Sequence, residues 1–189
     1  MIKIDAIKTQ IIDLPTIRGH VLSMATMTQQ SVVLIEILFS DGSVGIGEGT
    51  AIGGLSYSAE SPESIQSAIE TYIGPAIIGM DGDAVNAVRL RAEKAVMGNP
   101  IARCAVENAL WDGLGKRLGL SVSTLLGGAV HTGLDVAWTL ASGDSDKDIA
   151  EALEMLECRR HRQFKLKIGK RAVRDDLAHV GKIKAALGD

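Results

Sequence analysis

Two lysines one residue apart carry the clearest chemical signal in this chain. In Phe164-Lys165-Leu166-Lys167-Ile168 the side chains of an extended segment alternate. Lys165 and Lys167 therefore share one face, and Phe164, Leu166 and Ile168 share the other. In a β/α barrel the outward face of a strand packs on helices and must be apolar, so both lysines would point inward. Ammonium groups held close together and away from water disfavour each other's protonation. A lysine shifted in this way is a competent general base near neutral pH. Lysines are seldom buried, so the Lys-x-Lys pattern by itself more often marks a strand with one solvated basic face.

Other residues with chemical potential signal less. His20 lies in a polar stretch where it is either a ligand, a titrating group or simply solvated. His131, His161 and His179 share no spacing that suggests a metal site. Thr139 alternates with Trp138 and Leu140 and faces away from them, so its hydroxyl either touches a ligand or caps a neighbour. Glu107 and Asp112 fall on an apolar helical run and suit pairing with Arg103 or Lys116. Glu48 and Asp41 lie on or near a hairpin and are expected to be exposed. Gly45-Ile46-Gly47-Glu48-Gly49 is dense in glycine but lacks Gly-x-Gly-x-x-Gly spacing, which excludes a dinucleotide fingerprint. Cys104 and Cys158 have neither metal-ligand nor redox spacing, so a reduced, cytoplasmic protein is expected.

The elements that must hold these residues follow from patterning. Ile2, Ile4, Ile11, Ile12 and Leu14 make a β-like stretch that Pro15 is expected to end. Residues 16–30 then read as an irregular loop of functional length. Val32 to Phe39 is rich in β-branched residues, and Ser40-Asp41-Gly42-Ser43 turns it back into Val44 to Glu48. A glycine-rich segment follows. Ser61-Pro62 starts a helix along Ile65, Ile69, Tyr72 and Ile73, which Gly74-Pro75 is expected to stop. Further helices are expected from about Asp83 to Met97 and from Asn99-Pro100 to a Gly119 cap. The last is lined by Val106, Leu110, Leu114 and Leu118. Strands followed by helices read as a small α+β domain over residues 1–128.

From Gly127-Gly128 onward the order becomes strand, helix, strand, helix. The strands are 134–140 and 164–168, and the helices are Asp146 to about His161 and Val173 to Leu187. That is the start of a parallel sheet. Two such units cannot bury their own faces. Residues 129–189 therefore read as the opening of a larger barrel whose remainder lies beyond residue 189. On that reading the chain alone is inactive, and it aggregates, associates through its open strand edge or needs the missing half for solubility.

The chain resembles the muconate-lactonizing enzymes (muconate cycloisomerases) of the enolase superfamily. The resemblance rests on Asp13-Leu14-Pro15-Thr16-Ile17-Arg18, Gly45-Ile46-Gly47-Glu48, Thr50 to Tyr57, Glu60-Ser61-Pro62-Glu63, Leu125-Leu126-Gly127-Gly128, Ala137 to Asp144 and Phe164 to Gly169. It implies an α+β capping domain followed by the first two β/α units of a modified TIM-type barrel. It implies reversible lactonisation of cis,cis-muconate, a step in aromatic catabolism. The base is a lysine, and the enediolate is stabilised by a divalent cation, Mn²⁺ or Mg²⁺. By position Lys167 matches the acid/base lysine and Lys165 its neighbour. His20, Ile52 and Tyr57 match capping-domain contacts to the substrate, and Thr139 is a further candidate contact. The resemblance puts the acidic metal ligands beyond residue 189, so no metal ligand is assigned here. It also implies a small dicarboxylate as partner and a homo-oligomer when complete. Chloromuconate cycloisomerase and dipeptide epimerase stay open within the superfamily, with Ile52-Gly53-Gly54-Leu55-Ser56-Tyr57 favouring plain muconate. A non-catalytic assembly piece stays open outside it.

Composition excludes other classes. Twenty-three acidic against 20 basic residues, a pI of about 5.8 and no basic stripe argue against nucleic-acid binding. An apolar share of 46% over 189 residues argues for a packed core. No apolar run approaches the ~20 residues of a membrane span, and the N-terminus lacks a signal peptide's apolar region.

Overall fold

A computed structural model describes residues 1–22 and 26–188. The chain divides into two compact units, Met1–Ala129 and Val130–Asp189.

The first unit is a three-stranded antiparallel sheet covered by helices. β1 (Ile4–Val21), β2 (Thr26–Phe39) and β3 (Val44–Thr50) lie in that order. Alternation puts Val33, Ile35, Ile37 and Phe39 of β2 on the buried face. Ile7 and Ile11 of β1 stand opposite Ile37 and Val33. The turn between β2 and β3 forms as expected. Gly42 takes a positive φ of 83°, and Asp41 accepts from the Ser43 amide and hydroxyl. Those two bonds hold the Asp41 carboxyl below its ordinary range.

Pro15 does not end β1. It keeps its register opposite Gln29, and the strand runs on to Val21 through a shift between Pro15 and His20. β1 is an edge strand of this sheet, where a residue without an N–H costs little. The loop expected over 16–30 is thus mostly the twisted end of the β1–β2 hairpin, apart from residues 23–25, which lie outside the described residues.

The helices follow their caps closely. Ser61 and Ser64 form a reciprocal capping box at the start of α1 (Pro62–Ala68). Gly74-Pro75 does not stop this helix. A π-helical turn over Ile69–Ile73 leads into α2 (Gly74–Ile77), with the Gly74 amide bonded to the Ile69 carbonyl. In a regular helix the Pro75 ring would strike the carbonyl of Thr71, and the wider π turn relieves that clash. Tyr72 points outward rather than joining the stripe, at 57% exposure. α3 (Val85–Ala95) and α4 (Pro100–Leu118) follow, with Gly119 closing α4 in the left-handed region at φ 65°. A short α5 (Val122–Leu125) completes the unit.

The buried line of α4 is not quite the one expected. Val106 and Leu110 are buried, but Leu118 is 56% exposed. Each four-residue step overshoots one turn by about 40°, so three steps carry Leu118 some 120° around the helix. The face turned to the sheet is made instead of Ala102, Ala105, Ala109 and Gly113, all buried. It lies directly on Gly45, Gly47 and Gly49 of β3. The glycine run thus serves close helix–sheet contact.

The N-terminus of α4 is closed by a buried carboxylate. Glu60 is 3% exposed and accepts from the amides of Ile101 (2.8 Å) and Ala102 (3.1 Å). Both oxygens meet orphan donors at the positive end of a helix. Glu60→Gln keeps the shape but replaces one acceptor with a donor, leaving a buried amide unpaired. Urea unfolding is expected to show a loss of about 1–3 kcal/mol.

The second unit holds β4 (Trp138–Leu140), α6 (Ser145–Glu157), β5 (Phe164–Leu166) and α7 (Val173–Leu187). β4 and β5 are parallel, with Trp138, Thr139 and Leu140 opposite Phe164, Lys165 and Leu166. Leu140, Ala152 and Ile183 form its buried centre, with Trp138, Ile149, Phe164, Leu166 and Leu187 packed against them. The strands are shorter than their apolar patterns suggested. Leu134 and Val136 precede β4 and are 80% and 69% exposed, and Ile168 lies beyond β5 at 61%. Ile168 therefore does not pack on the helices as alternation implied, because the strand ends before it. Among the described residues, no helix is long and apolar enough to cross a membrane.

Candidate functional site

Lys165 and Lys167 stand at the C-terminal end of β5. Phe164 and Leu166 turn into the helix-covered core, which leaves the lysines to the opposite face. Lys165 is exposed and Lys167 half-buried. Thr139 is the register partner of Lys165, so its hydroxyl shares the lysines' face. Just past β5, the Lys167 amide still donates to the Leu140 carbonyl at 3.2 Å. Parallel pairing thus fixes the backbone under all three residues. One face of this sheet is apolar and covered, and the other carries two amines and a hydroxyl.

The helix that follows β4 starts on a firm cap. The Asp144 carboxylate accepts from the amides of Asp146 (2.9 Å) and Lys147 (3.2 Å). The Lys147 amide first, then that of Asp146, holds the Asp144 carboxyl below its ordinary range.

His20, Ile52 and Tyr57 belong to the other unit. His20 is on β1 opposite Met27, in a strand rather than the expected loop, and is half-buried. Ile52 and Tyr57 flank a tight turn and are 46% and 59% exposed. Gly53 and Gly54 both take positive φ there, and a short 3₁₀ turn spans Gly54–Ser56. Ser56 Oγ donates to the Gly53 carbonyl at 2.7 Å, and the Tyr57 amide donates to Gly54 at 3.1 Å. A Cβ on Gly53 would press on Tyr57 and on Leu22 at the end of the β1–β2 hairpin. Gln30 donates to the Ala51 carbonyl across the same junction at 3.3 Å. The hairpin end and the 51–57 turn are therefore neighbours, which joins two stretches read separately from sequence.

Two buried carboxylates in the second unit escaped the sequence reading. Asp148 is 0% exposed and Asp176 is 7% exposed. Each sits at the fourth residue of its helix, α6 or α7. Setting the two β/α units side by side would have exposed the correspondence. His179, dismissed as a metal ligand, lies 3.4 Å through Nε2 from Asp148 Oδ2, and its Nδ1 is 2.8 Å from Ser145 Oγ. Asp112 pairs with Lys116 at 2.6 Å as expected, while Glu107 accepts from the Trp111 indole rather than from Arg103.

The family signature for the mandelate racemase / muconate lactonizing enzyme N-terminal domain matches residues 6–127. The chain belongs to this family. The first unit is its α+β N-terminal domain. Muconate cycloisomerase 1 of Pseudomonas putida is 56% identical over 178 residues, which is 94% of this chain and 48% of that protein. The chloromuconate cycloisomerase of Cupriavidus pinatubonensis is 44% identical over 186 residues, 98% of this chain and 50% of that protein. The crystal structure of muconate lactonizing enzyme from Pseudomonas fluorescens complexed with muconolactone superposes with a TM-score of 0.94. It is 56% identical and covers 99% of this chain and 50% of that one. The chain spans about half the length of the curated relatives it matches.

Membership of this family carries an expectation of a divalent cation. Among the described residues no three His, Cys, Asp or Glu side chains converge on a point. Asp176 is taken up by the Gly169 amide and Arg171, and Asp148 by the Ser142 amide on Oδ1, with its buried Oδ2 facing His179 Nε2 at 3.4 Å. The described residues do not compose a ligand set for it, and no chemical step is routed through it below.

Proposed function

We propose that this chain supplies the acid/base lysine and the substrate-covering contacts of a muconate cycloisomerase-type reaction. The second unit is read as the first two β/α units of a modified TIM-type barrel, beginning after residue 128. Lys167 exchanges a proton with the carbon next to a carboxylate of cis,cis-muconate. In the lactonising direction a carboxylate oxygen of the substrate adds to a double bond, and Lys167 delivers the proton to the adjacent carbon. In reverse, neutral Lys167 removes it. Lys165 stands two residues away and offers an ammonium to the substrate carboxylate. Thr139 offers a hydroxyl beside Lys165. His20, Ile52 and Tyr57 of the first unit are proposed as further contacts to the substrate. A divalent cation, Mn²⁺ or Mg²⁺, would neutralise charge on the substrate carboxylate. Its ligands are proposed to lie outside this chain, and the complete enzyme is proposed to be a homo-oligomer that works in the cytoplasm.

The observation that carries this reading is the lysine pair itself. It lies at the C-terminal end of a parallel strand whose other face is sealed by helices, and catalytic groups of β/α barrels sit at that end. The Ile52-to-Tyr57 turn and the higher identity to a muconate than to a chloromuconate cycloisomerase, 56% against 44%, favour the unchlorinated substrate. The test is a chimera in which residues 1–189 replace the matching half of the Pseudomonas putida enzyme. It is assayed by absorbance on plain and chlorinated muconates with added Mn²⁺. Turnover with plain muconate preferred is expected. A folded chimera that turns over neither substrate defeats the proposal.

A further inference from the structure

We propose that Arg171 is a positioning residue that locks together the loops at the ends of β4 and β5, and so fixes where Lys167 stands. The catalytic consequence rests on the role given to Lys167 above, whereas the coupling of the loops does not.

The argument begins with the two buried carboxylates. Asp148 accepts from the Ser142 amide at 3.1 Å, in the loop leaving β4. Asp176 accepts from the Gly169 amide at 2.7 Å, in the loop leaving β5. The same device occurs twice, with a carboxylate at the fourth position of each helix reaching back to the loop before it. Hydrogen bonds from an amide to a buried carboxylate are strong, because the charge has no water to fall back on. Each loop is thereby held by its own helix.

Arg171 adds a tie of a different kind. Its Nε donates to Asp176 Oδ1 at 3.1 Å, and its Nη1 donates to the Gly143 carbonyl at 2.8 Å. Gly143 follows Ser142 in the first loop, while Arg171 belongs to the second. A single guanidinium thus spans both loops, anchored on the carboxylate that already holds the second. The planar fork places two donors in fixed directions, which an ammonium on a flexible stem does not reproduce. Lys167 lies between two fixed points, its own amide on Leu140 and the Gly169 amide on Asp176. His179 ties α7 to α6 behind this network, through Asp148 on one nitrogen and Ser145 on the other. His179 and Asp148 are 3% and 0% exposed, so this trio joins helices and offers a substrate no access.

The test is amide hydrogen exchange on the chimera described above, comparing the parent with Arg171→Met and Arg171→Lys. The methionine keeps the apolar stem and removes every donor. Exchange is expected to quicken roughly tenfold or more in both loops, at 142–144 and at 169–171, as loss of a charge-assisted bond shifts a local opening equilibrium. Arg171→Lys, which keeps the charge without the fork, is expected to leave the 142–144 loop loosened. Rates in 142–144 unchanged by Arg171→Met, or fully restored by Lys, would overturn the coupling. In the chimera, Arg171→Met is expected to lower kcat while leaving KM nearly unchanged, since the lysine is displaced but the substrate contacts remain. Equal kcat in parent and variant would overturn the positioning of Lys167. If both loops loosen but the parent chimera has no turnover at all, the coupling stands and the catalytic role of Lys167 falls.

Discussion

Lys167→Ala in the chimera is expected to lower muconate turnover by at least about 10²–10⁴-fold, the usual contribution of a general acid/base group. The substitution leaves the backbone untouched, so the Lys167 amide still reaches Leu140 and the β4–β5 pairing persists. Circular dichroism and unfolding should match the parent. Lys165→Ala is expected to behave differently, raising KM as well as lowering kcat, because that side chain is asked to meet the substrate carboxylate. Near-normal turnover of the Lys167 variant would mean that another residue moves the proton.

The placement of Phe164 and Leu166 was legible because a strand with one covered face must alternate, a two-residue pattern that holds through β5 and stops short of Ile168. The helix caps were legible for the same local reason: Ser61-Pro62, Asn99-Pro100 and Gly119 each determine the geometry of their immediate neighbours. What failed was whatever depends on partners far along the chain. Pro15 breaks a strand only where its missing N–H would face a neighbour, and nothing within residues 1–22 says that β1 lies at an edge. Gly74-Pro75 ends an α-helix but not one that has already widened into a π turn. Nothing in the local sequence singles out Asp148 or Asp176, and only the loops folded back on them make them anchors. The glycines of β3 lack nucleotide-loop spacing, and their packing role is visible only with α4 lying on them.

Gly47→Ala is expected to be among the most damaging single methyls in the first unit. A Cβ at Gly47 would fall inside the van der Waals shell of the Ala105 carbonyl oxygen, 2.9 Å from the Ala109 nitrogen and 3.1 Å from the Ala105 carbonyl carbon. These are backbone atoms of a helix, so no rotamer change can yield the space. The match behind the contact is metric. Two residues of strand advance about 6.8 Å and four residues of helix about 6 Å. Gly45, Gly47 and Gly49 therefore meet Ala109, Ala105 and the Ile101–Ala105 turn in step along α4. Pushing α4 outward to admit one methyl also opens the contacts at Gly45 and Gly49, and it lifts Ala102, Val106 and Leu110 from the core they share with Val33, Ile35 and Ile37. Overpacking ordinarily costs about 1–3 kcal/mol, and here the cost should reach or exceed the top of that range. Gly45→Ala, whose Cβ would strike the Ala109 carbonyl and approach the Gly113 nitrogen to 3.0 Å, is expected to behave alike. Gly49→Ala, which meets mainly the Ile65 side chain at 3.1 Å, should cost distinctly less because a side chain can shift. Urea unfolding of the three variants checks the order. If Gly47→Ala were no worse than Gly49→Ala, α4 would not be seated on β3 by backbone contact.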